Sequence, residues 1–420
     1  MDNRECGRIL GGMERDADIV IAGGGLNGPA LALALARAGL SVTLIDALPA
    51  ETRSDAGFDG RAYALALGSQ RLLSALDVWP AVAGNSQPIL DIEVTDGRAG
   101  AGAAPWFLHF DHAEIEEGPM GHMLEDRYLR RALLDAMAAE QRITQVAPAE
   151  IVAQETDLTG VAVTLADGRR ITGRILVGCD GRRSGTATRA GIARTGWDYG
   201  QTALVCAVAH ERPHHGTAHQ FFMPPGPLAI LPLPGNRASI VWTESTGAAE
   251  AINALSDERY LDILRPRFGD FLGEISLVGE RFTYPLSLTL ANSFVADRVA
   301  LAGDAAHGVH PIAGQGLNLG LRDVGALAQV LVEAHRRGED IGAANVLARY
   351  QQWRRWDTTT LAIGTDLVNR LFSNDNPLLR AARDIGLGAV NAAPGLRRRF
   401  IREAAGLTGD LPRLMQGRAI

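Results

Sequence analysis

The order of apolar and polar positions predicts a strand, a turn, a helix and a second strand near the start of the chain. Residues 18–22 form a nearly unbroken apolar run, which is typical of a buried parallel strand. Residues 23–28 contain the glycines of a turn, and residues 29–38 are strong helix formers. Residues 41–45 predict the second strand, which ends at Asp46. Together these segments form a βαβ pattern of about 30 residues.

The apolar pattern changes from helical to strand-like spacing farther along the chain. Leucines at helical spacing predict helices over residues 66–83 and 126–139. Alternating apolar residues on either side of Asp167-Gly168 predict a hairpin of residues 161–165 and 171–177. Three β-rich runs between Pro and Gly clusters then predict an inserted antiparallel sheet: 202–209, 228–233 and 238–243.

Composition narrows the chemistry that this chain can perform. All 41 of its basic residues are arginine, against 48 acidic residues, so it has no lysine for a P-loop or a Schiff base. A genome rich in G and C would produce the same bias, and the absence of lysine therefore serves only to exclude mechanisms. The net charge of −7 argues against a general nucleic-acid binder. With 420 residues, the chain is long enough for two domains.

The cysteines and the apolar segments predict a reducing, aqueous environment. Cys6, Cys179 and Cys206 show neither metal-ligand nor disulfide-motif spacing. No stretch approaches the roughly 20 apolar residues that cross a bilayer. Residues 1–16 form a polar lead-in without the apolar core of a signal peptide. We therefore expect a cytoplasmic protein, either soluble or in peripheral contact with a membrane.

The first motif with chemical content is the glycine turn after the first predicted strand. Gly23, Gly25 and Gly28 have the GxGxxG spacing, which lets the backbone approach a pyrophosphate at the positive end of the following helix. Asp46 follows the second strand, where it can accept hydrogen bonds from ribose hydroxyls. This context predicts a dinucleotide site without distinguishing FAD from NAD. The alternative is a glycine-rich turn with an unrelated aspartate.

Two further motifs follow predicted strands. Cys179-Asp180-Gly181 comes directly after the apolar run 175–178, although an Asp-Gly pair by itself is usually an ordinary turn. A buried strand predicted over residues 299–302 leads into Gly303-Asp304, whose carboxylate can bind a polyol hydroxyl. A mostly helical region then begins near Gly316.

The segment between Asp304 and this helical region offers backbone groups to a ligand. Gly314-Gln315-Gly316 enters the helix, so its backbone N–H groups can face an anionic or carbonyl edge. His307 and His310 have His-x-x-His spacing, but no carboxylate or cysteine completes a metal set. We therefore expect no metal site here.

The three motifs, in this order, resemble the three fingerprints of the group A flavin-dependent aromatic monooxygenases. Residues 310–323 (HPIAGQGLNLGLRD) match the signature of the ubiquinone-biosynthesis hydroxylases, the UbiH, UbiF and VisC-like proteins. Residues 58–61, the strand pair 231–234 and 239–243, and the tail 400–417 also resemble this family. The resemblance spans about residues 17–417.

The resemblance implies an α/β, aromatic hydroxylase-like fold. We expect a Rossmann-like FAD-binding domain, an interleaved antiparallel β-sheet substrate domain and a helical C-terminus. The expected boundaries are 17–85, 113–195 and 290–345 for the FAD-binding domain, 86–112 and 196–289 for the substrate domain, and 346–420 for the helical region.

The resemblance also implies roles for individual residues around FAD. The implied cofactor contacts are Gly23, Gly25, Leu26, Asn27 and Gly28 at the pyrophosphate, Asp46 at the adenosine ribose, Arg61 near the flavin, Asp180 at FAD and nicotinamide, Asp304 at the ribityl chain, and Leu317 and Asn318 beside the flavin. The implied surroundings of the flavin ring are Pro311, Gly314, Gln315 and Gly316, which would stabilise negative charge on the reduced ring. No side-chain nucleophile is expected.

One position departs from the family's pattern. Relatives place Arg, Gln or Asn at the start of the helix that reaches the pyrophosphate, where this sequence has Asp126 followed by Arg127. Because a carboxylate would repel phosphate, we expect a one-residue shift in which Arg127 makes the contact.

The family's chemistry implies a reaction and a substrate. FAD is reduced by NAD(P)H or another electron donor, reacts with O2 to a C4a-hydroperoxide, and hydroxylates an activated ring. The implied substrate is a polyprenylated phenol of ubiquinone biosynthesis, most like that of 2-polyprenyl-6-methoxyphenol hydroxylase. Trp242 and Phe222 are candidates to line the substrate cavity, and ordinary core packing explains them equally well.

This substrate lies in a membrane, so the chain is expected to make a peripheral contact with the inner face of the membrane or with a biosynthetic assembly. The arginines of residues 397–402 are candidates for that contact, and a solvated helix face is the alternative.

Two other classes of function would use the same fingerprints. An FAD-dependent reductase or dehydrogenase of a prenylated or aromatic substrate would transfer electrons without oxygen. O2 uptake coupled to a hydroxylated product distinguishes oxygenation from that alternative. A non-enzymatic flavoprotein within an assembly would show no activity with FAD and substrate. The ubiquinone-hydroxylase signature favours oxygenation.

Overall fold

A computed structural model of the chain describes residues 15–53, 55, 57–58, 60–98, 102–309, 314–372, 386, 388 and 390–420. Its strands are β1 (Ile19–Ala22), β2 (Val42–Ile45), β3 (Ala62–Ala66), β4 (Gln87–Ile89), β5 (Asp91–Arg98), β6 (Gly102–Asp111), β7 (Gly121–Glu125), β8 (Ile143–Val146), β9 (Ile151–Thr156), β10 (Val161–Leu165), β11 (Arg170–Gly173), β12 (Ile175–Gly178), β13 (Arg194–His210), β14 (Thr217–Met223), β15 (Gly226–Leu233), β16 (Arg237–Ser245), β17 (Ile275–Ala291), β18 (Val295–Ala296), β19 (Val299–Leu301) and β20 (His307–Gly308). Its helices are α1 (Asn27–Arg37), α2 (Ala50–Arg53), α3 (Leu67–Ala75), α4 (Trp79–Val82), α5 (Asp126–Ala139), α6 (Gly185–Arg189), α7 (Thr246–Asn253), α8 (Asp257–Phe268), α9 (Gln315–Arg336), α10 (Ala344–Phe372) and α11 (Pro394–Ala404).

A six-stranded sheet lies at the centre of the first part of the fold. Its order is β18-β19-β12-β1-β2-β8, and it is parallel except for the edge strand β18. Its strands are short and apolar, as expected of a parallel sheet covered on both faces. Helix α1, buried at every residue from Gly28 to Ala36, packs between this sheet and α9. The carboxyl ends of the parallel strands therefore meet at one open edge.

The sequence predicted several of these elements and misjudged the ends of others. The predicted βαβ unit is confirmed as β1, α1 and β2, and the helix predicted over residues 126–139 is confirmed as α5. The single helix predicted over residues 66–83 is wrong, because the chain divides there into α3 and α4. Asp77 has a φ of 47° between the two helices, and Pro80 lies in the first turn of α4.

The predicted hairpin is only partly correct. Strands β10 and β11 pair antiparallel on either side of Asp167-Gly168, as expected. The second predicted strand, over residues 171–177, is two elements, and the later one enters the six-stranded sheet as β12. Arg174 lies at the division, where its backbone N–H donates to the carbonyl oxygen of Asp18 at 2.9 Å. Its guanidinium also pairs with Asp18 and Asp340, and these contacts fix the point at which the chain changes sheets.

The inserted antiparallel region forms an eight-stranded sheet of order β20-β17-β13-β16-β15-β14-β5-β6. The β-rich runs predicted over 202–209, 228–233 and 238–243 are confirmed within β13, β15 and β16. Successive residues of a strand face opposite sides of a sheet. One face packs against α7 and α8, and we call the opposite face, which packs against α11 and β7, the inner face.

The expected α/β fold with an interleaved antiparallel sheet and a helical C-terminal region is confirmed. The domain boundaries stay a prediction. Among the helices that the structure describes, none combines the length and the apolar content needed to cross a bilayer.

Candidate active site

The carboxyl edge of the six-stranded sheet collects residues of all three sequence motifs. Gly23 follows β1, and Asp46 follows the neighbouring strand β2. Asp180 follows β12 on the other side of β1, and Asp304 follows β19. Ligands of open parallel sheets bind outside the carboxyl ends of the strands. The topology therefore joins four positions that are distant in the sequence.

The turn from Gly23 to Gly28 has the geometry of a phosphate cradle. Gly23 has a φ of 105°, and a Cβ there would collide with the carbonyl oxygen of Cys179. A Cβ at Gly28 would collide with the carbonyl oxygen of Gly23. Around Gly25 the situation is different, because no atom of the described residues lies within 4 Å of the position that a Cβ would take. The turn is therefore closely packed at its two ends and open at its middle.

Asn27, the first residue of α1, links this turn to the third motif. Its Nδ2 occupies the space beside Gly303 and Gly320, where a Cβ at either glycine would collide with it. Its Oδ1 is buried without a hydrogen-bond partner among the described residues. A buried unsatisfied polar atom costs about 1–3 kcal/mol, which a donor on a bound group would offset. Leu26, by contrast, is a buried member of the main core.

Asp46 is held by backbone N–H groups at the end of β2. Its Oδ2 accepts a hydrogen bond from Gly24 N at 2.5 Å, and its Oδ1 accepts one from Leu48 N at 2.8 Å. These bonds fix the carboxylate beside the glycine turn while leaving further lone pairs available to a ligand.

Arg53 belongs to the same corner, and sequence reasoning missed it. It is 4% exposed, its Nε lies 3.8 Å from Asp46 Oδ1, and its Nη1 donates to the Gly24 carbonyl oxygen at 3.3 Å. Its Nε and Nη2 are buried without a hydrogen-bond partner among the described residues. No motif marks this arginine, because it lies on the short helix α2 after the βαβ unit. A buried guanidinium with two unused N–H groups fits an oxygen-rich ligand.

Asp180 accepts hydrogen bonds from the loop that it begins. Its Oδ1 accepts from Ser184 Oγ at 2.5 Å, and its Oδ2 accepts from Thr186 N and Thr186 Oγ1 at 2.9 Å each. Ser184 in turn caps the short helix α6. Both carboxylate oxygens therefore shape the loop between β12 and α6, and the implied contact of Asp180 with FAD and nicotinamide stays a prediction.

Asp304 lies beside two arginines at the far end of the edge. Its Oδ2 is 3.3 Å from Arg182 Nε, and Arg194 Nη2 donates to its carbonyl oxygen at 2.7 Å. Burial lowers the pKa of Arg194, against the opposing effect of the carboxylates of Asp180 and Asp304. The side chain of Asp304 is 42% exposed, so its carboxylate is accessible to hydroxyl groups of a ligand.

A buried ion network supports the Asp304 loop from behind. Asp323 on α9 accepts hydrogen bonds from Gly303 N at 3.0 Å and Arg354 Nε at 2.8 Å, and its Oδ2 lies 2.5 Å from His307 Nε2. Burial acts to raise the pKa of Asp323, but His307 and Arg354 outweigh it, so this pKa lies below its usual value. The network ties β20, the Asp304 loop and α10 to α9.

The start of α9 is fastened to β3 by one amide side chain. Asn318 Oδ1 accepts from Ala66 N at 2.8 Å, and Asn318 Nδ2 donates to the carbonyl oxygens of Ala64 at 2.8 Å and Gly314 at 3.1 Å. Gly314 precedes the helix with a φ of 63°, and Gln315 is its first residue. Helix N-termini carry backbone N–H groups without partners inside the helix, so this end favours negative charge.

Other members of the predicted flavin-ring group lie at the same helix end. Gly316 and Leu317 fall in the first turn of α9, and no described atom lies within 4 Å of the position that a Cβ of Gly316 would take. Pro311 lies outside the described residues. The contacts of these residues with a flavin stay predictions.

The carboxylate that departs from the family's pattern has its charge balanced. Asp126 accepts two hydrogen bonds from Arg130, at 2.9 and 2.7 Å, and one from Tyr63 Oη at 3.0 Å. Arg61 Nη2 lies 3.7 Å away. Burial, together with the neighbouring Asp126, raises the pKa of Tyr63, which therefore remains a neutral donor. With two guanidinium groups beside one carboxylate, the negative charge of this corner is balanced, and the one-residue shift to Arg127 stays a prediction.

Arg127 has different surroundings. Its Nε donates to Glu125 at 2.8 Å, and its guanidinium lies over the rings of Phe58 and Tyr128. The carboxylate of Glu125, which is fully buried, also pairs with Arg237 from β16 at 3.0 Å. Arg127 therefore takes part in the junction between β7 and the eight-stranded sheet, and its contact with a pyrophosphate stays a prediction.

An apolar cavity of about 180 Å³ lies between the inner face of the eight-stranded sheet and the start of α9. Its walls come from β3, β5, β14 and β15, and Gln315 and Asn318 close it on the side of α9. Phe222, a candidate from the sequence for lining the substrate cavity, lies in the wall of this cavity. The same expectation for Trp242 is wrong. Trp242 is 1% exposed and packs edge-on against Tyr260 on the opposite face of the sheet, where core packing explains it.

Comparisons with known proteins agree with this geometry. A family model described as an FAD binding domain matches residues 16–360. Ubiquinone hydroxylase UbiL of Rhodospirillum rubrum is 48% identical over 414 residues, which cover 98% of this chain and 95% of the relative. The 3-demethoxyubiquinol 3-hydroxylase of Escherichia coli is 36% identical over 392 residues, which cover 93% of this chain and 98% of the relative.

Solved structures show the same fold. The p-nitrophenol 4-monooxygenase PnpA from Pseudomonas putida DLL-E4 superposes with a TM-score of 0.78 at 19% identity, covering 94% of this chain and 99% of that one. Aklavinone-11 hydroxylase, solved with FAD and aklavinone, gives a TM-score of 0.66 at 19% identity, covering 84% and 68%. At these identities the likeness concerns the fold alone.

Proposed function

This chain belongs to the FAD-binding-domain family and to its ubiquinone hydroxylases, and we propose that it hydroxylates the aromatic ring of a polyprenylated phenol with O2. It is an FAD-dependent hydroxylase of ubiquinone biosynthesis, and transfer of electrons without oxygen is not favoured. The observation that carries the choice of substrate is the apolar cavity of about 180 Å³ beside the start of α9. An apolar cavity of about 150 Å³ accepts a benzene ring. This space therefore suits one ring, and a prenyl chain must extend out of it.

The residues at the carboxyl edge fit FAD. The glycine turn excludes side chains at its ends, and Asn27 Oδ1 and two N–H groups of Arg53 are buried without partners among the described residues. In our assignment the backbone from Gly23 to Gly28 holds the pyrophosphate. Asp46 and Arg53 hold the adenosine end, and Asp304 holds the ribityl chain. When bound, FAD supplies the electron transfer and oxygen activation that amino-acid side chains cannot.

The protein itself contributes charge stabilisation and a dry site. We assign the N-terminus of α9 to stabilise negative charge on the reduced ring, because a helix N-terminus carries partial positive charge. Asn318 holds that end against β3, and the Asp323 network holds the Asp304 loop to the same helix. The mostly apolar walls of the cavity leave few groups that would bind water beside the ring.

The direct test uses the purified chain loaded with FAD, a short-chain prenylphenol and an electron donor. We expect O2 uptake coupled to formation of a hydroxylated ring, with NAD(P)H or a protein electron donor supplying the reducing equivalents. Product formation without O2 uptake would indicate the reductase alternative. A complete absence of turnover with every donor would indicate a non-enzymatic flavoprotein.

The ring position requires a second experiment. Quinone intermediates are profiled by mass spectrometry in a strain that lacks this gene, and the accumulated precursor identifies the missing hydroxylation. A precursor that lacks one hydroxyl supports the proposal, and an unchanged quinone pool contradicts it.

Peripheral membrane contact is a further part of this proposal, and the structure divides the candidate arginines into two kinds. Arg397 pairs with Glu114 at 2.7 Å, and Arg402 pairs with Glu117. Arg398 and Arg399 are exposed on the same helix, α11. Leu396 and Phe400, four residues apart on that helix, are 43% and 45% exposed. Exposed apolar side chains next to arginines suit the surface of an anionic bilayer.

The test compares phosphatidylglycerol vesicles with phosphatidylcholine vesicles in a flotation assay. The variant Arg398→Gln/Arg399→Gln is expected to bind the anionic vesicles at least tenfold more weakly, since each basic residue near the surface contributes about 1 kcal/mol. The matched control is Arg131→Gln/Arg170→Gln, whose arginines are 55% and 59% exposed elsewhere on the surface. Equal binding by both variants would assign α11 to a solvated face.

A further inference from the structure

Gln220 carries an unusual polar group on the inner face of the eight-stranded sheet. It lies on β14 between Ala218 and Phe222, which share its side of the sheet and line the same cavity. Its neighbours across the strands are Val94 on β5 and Ala229 on β15. The amide is therefore set among apolar side chains in the wall of the ring-sized cavity.

The amide nitrogen of Gln220 is unsatisfied. Nε2 is buried and has no hydrogen-bond acceptor among the described residues. Leaving such a donor unpaired opposes folding, whereas an apolar side chain of similar size would carry no such penalty. The arrangement is explained if a ligand brings an acceptor oxygen into the cavity.

Two other polar residues of the cavity wall have partners elsewhere. The polar atoms of the Asn318 side chain bond to Ala64, Ala66 and Gly314. His219 directs its ring to the opposite face, where the ring packs on Phe271 with centroids 4.6 Å apart and pairs with Glu93. No arginine lies among the described residues of the wall. The cavity is therefore equipped for an uncharged ring oxygen and not for a carboxylate.

From this geometry we propose that Gln220 Nε2 donates a hydrogen bond to the ring oxygen of the phenol and thereby orients the ring against the start of α9. The proposal rests on the function proposed above and adds the residue that recognises the ring oxygen by a hydrogen bond. It predicts that neutral phenols are preferred over hydroxybenzoates, because nothing on the described wall balances a carboxylate.

The test compares the affinities of the FAD-loaded wild type and its variants for two ligands. These are a short-chain prenylphenol and the matching prenylbenzene, which lacks the ring oxygen. Binding is followed by the change in flavin absorbance. In Gln220→Leu we expect the affinity for the prenylphenol to fall about tenfold and that for the prenylbenzene to stay equal or rise. Gln220→Glu, which replaces the donor by an acceptor, is expected to lose at least as much affinity for the phenol. Gln70→Leu, whose amide bonds to Ser74 at the surface, is the matched control.

The outcomes separate this inference from the proposed function. Equal effects of Gln220→Leu on both ligands, or no effect on either, would overturn the role of Gln220 while leaving hydroxylation by the wild type intact. A wild-type protein that neither binds nor hydroxylates the prenylphenol would overturn the proposed function, and this assignment with it. Tighter binding of a hydroxybenzoate than of the phenol would also overturn it. FAD content and melting temperature should match the wild type in both Gln220 variants.

Discussion

The carboxyl edge of the six-stranded sheet is crowded with charges, whereas the cavity wall on the eight-stranded sheet carries an amide among apolar side chains. At the edge, Asp46 and Arg53 lie against a turn whose backbone supplies further polar groups, and Asp304 lies beside Arg182 at the far end. At the cavity, Gln220 and Asn318 are set among residues such as Phe222 and Val94. One surface suits a dinucleotide of many oxygens, and the other suits a neutral ring.

This difference reflects how each surface obtains its specificity. A pyrophosphate can be held by backbone N–H groups at a helix N-terminus, which requires glycines at fixed spacing. A ring in an apolar cavity is positioned by shape and by a few hydrogen-bonding groups, which requires no spacing along the chain. Changes at the edge should therefore affect the fold and the cofactor strongly, while changes at the cavity should mainly affect the choice of substrate.

The largest expected effect comes from the glycine turn. In Gly28→Ala the added Cβ collides with the carbonyl oxygen of Gly23, so we expect the protein to purify without FAD and to melt several degrees lower. In Gly25→Ala the Cβ meets no described atom, so the melting temperature of the apo-protein should stay unchanged while FAD affinity falls. The measurements are FAD content by absorbance and thermal melting. Retention of stoichiometric FAD by Gly28→Ala would contradict the cradle.

The next effect concerns the buried support of the Asp304 loop. Asp323→Asn leaves the buried Arg354 guanidinium without its nearest counter-charge and removes the carboxylate that His307 contacts, which typically costs about 3–5 kcal/mol of unfolding free energy. Denaturant titration measures this loss. The control is Asp135→Asn, whose carboxylate belongs to an exposed ion pair with Arg131.

The pH dependence of the same variant has a defined sign. Because the pKa of Asp323 is lowered in the folded protein, its contribution to stability is complete above the unfolded pKa near 3.8 and is lost as pH falls through the folded value. The wild type should therefore lose stability more steeply than Asp323→Asn in that acid range. Parallel curves would show that the carboxylate is not the group responsible.

A smaller effect is expected at the adenosine end of the edge. Arg53→Met keeps the apolar length of the side chain and removes two unpartnered buried N–H groups. We expect FAD to bind at least tenfold more weakly, as measured by quenching of flavin fluorescence, since each lost charged hydrogen bond is worth about 1.5–3 kcal/mol. The apo-protein should be no less stable than the wild type. Unchanged FAD affinity would mean that Arg53 only packs against the turn, and Arg131→Met serves as a surface control.

The last prediction concerns the pH dependence of stability and a histidine of strand β7. Burial lowers the pKa of His122 to about 4, and its ring packs edge-on against Trp79 with centroids 4.9 Å apart. In the unfolded chain His122 takes up a proton near pH 6.5, whereas in the folded protein it does so only near pH 4. The free energy of unfolding should therefore fall as pH drops from 6.5 toward 4. His122→Phe should reduce that slope, and the exposed His335→Gln should not. Identical slopes in all three proteins would contradict the assignment.

The two surfaces were not equally predictable from the sequence. The glycine turn, Asp46 and Asp304 were found because they stand at fixed spacing after apolar strand runs, and the same spacing predicted β1, α1 and β2. Arg53 and Gln220 were missed, since neither lies in a motif. Arg53 contacts the nearby Asp46 and the glycine turn, whereas Gln220 lies beside a strand that is distant in the sequence. The sequence left Trp242 open between cavity lining and core packing, because β-propensity does not say which face of a sheet becomes the cavity, and the structure places it in the core.

Local pattern also failed where a long-range contact decided the outcome. The strand predicted over 171–177 divides at Arg174, whose partners Asp18 and Asp340 lie far away in the sequence. Beside Asp126, Arg130 lies one turn along the same helix, and the folded chain adds the more distant Arg61. The contact of Arg127 with a pyrophosphate stays a prediction.

The sequence by itself determined the dinucleotide edge, because a GxGxxG turn between a buried strand and a helix leaves few other conformations to the backbone. It also determined the family, through the run of residues 310–323. Only the tertiary structure decided which side chains are left with unused hydrogen-bonding groups, since burial and partners arise when distant strands pair. Gln220 on β14 beside Val94 on β5 is a product of that pairing, and Arg53 is buried where α2 lies against Asp46 and the glycine turn.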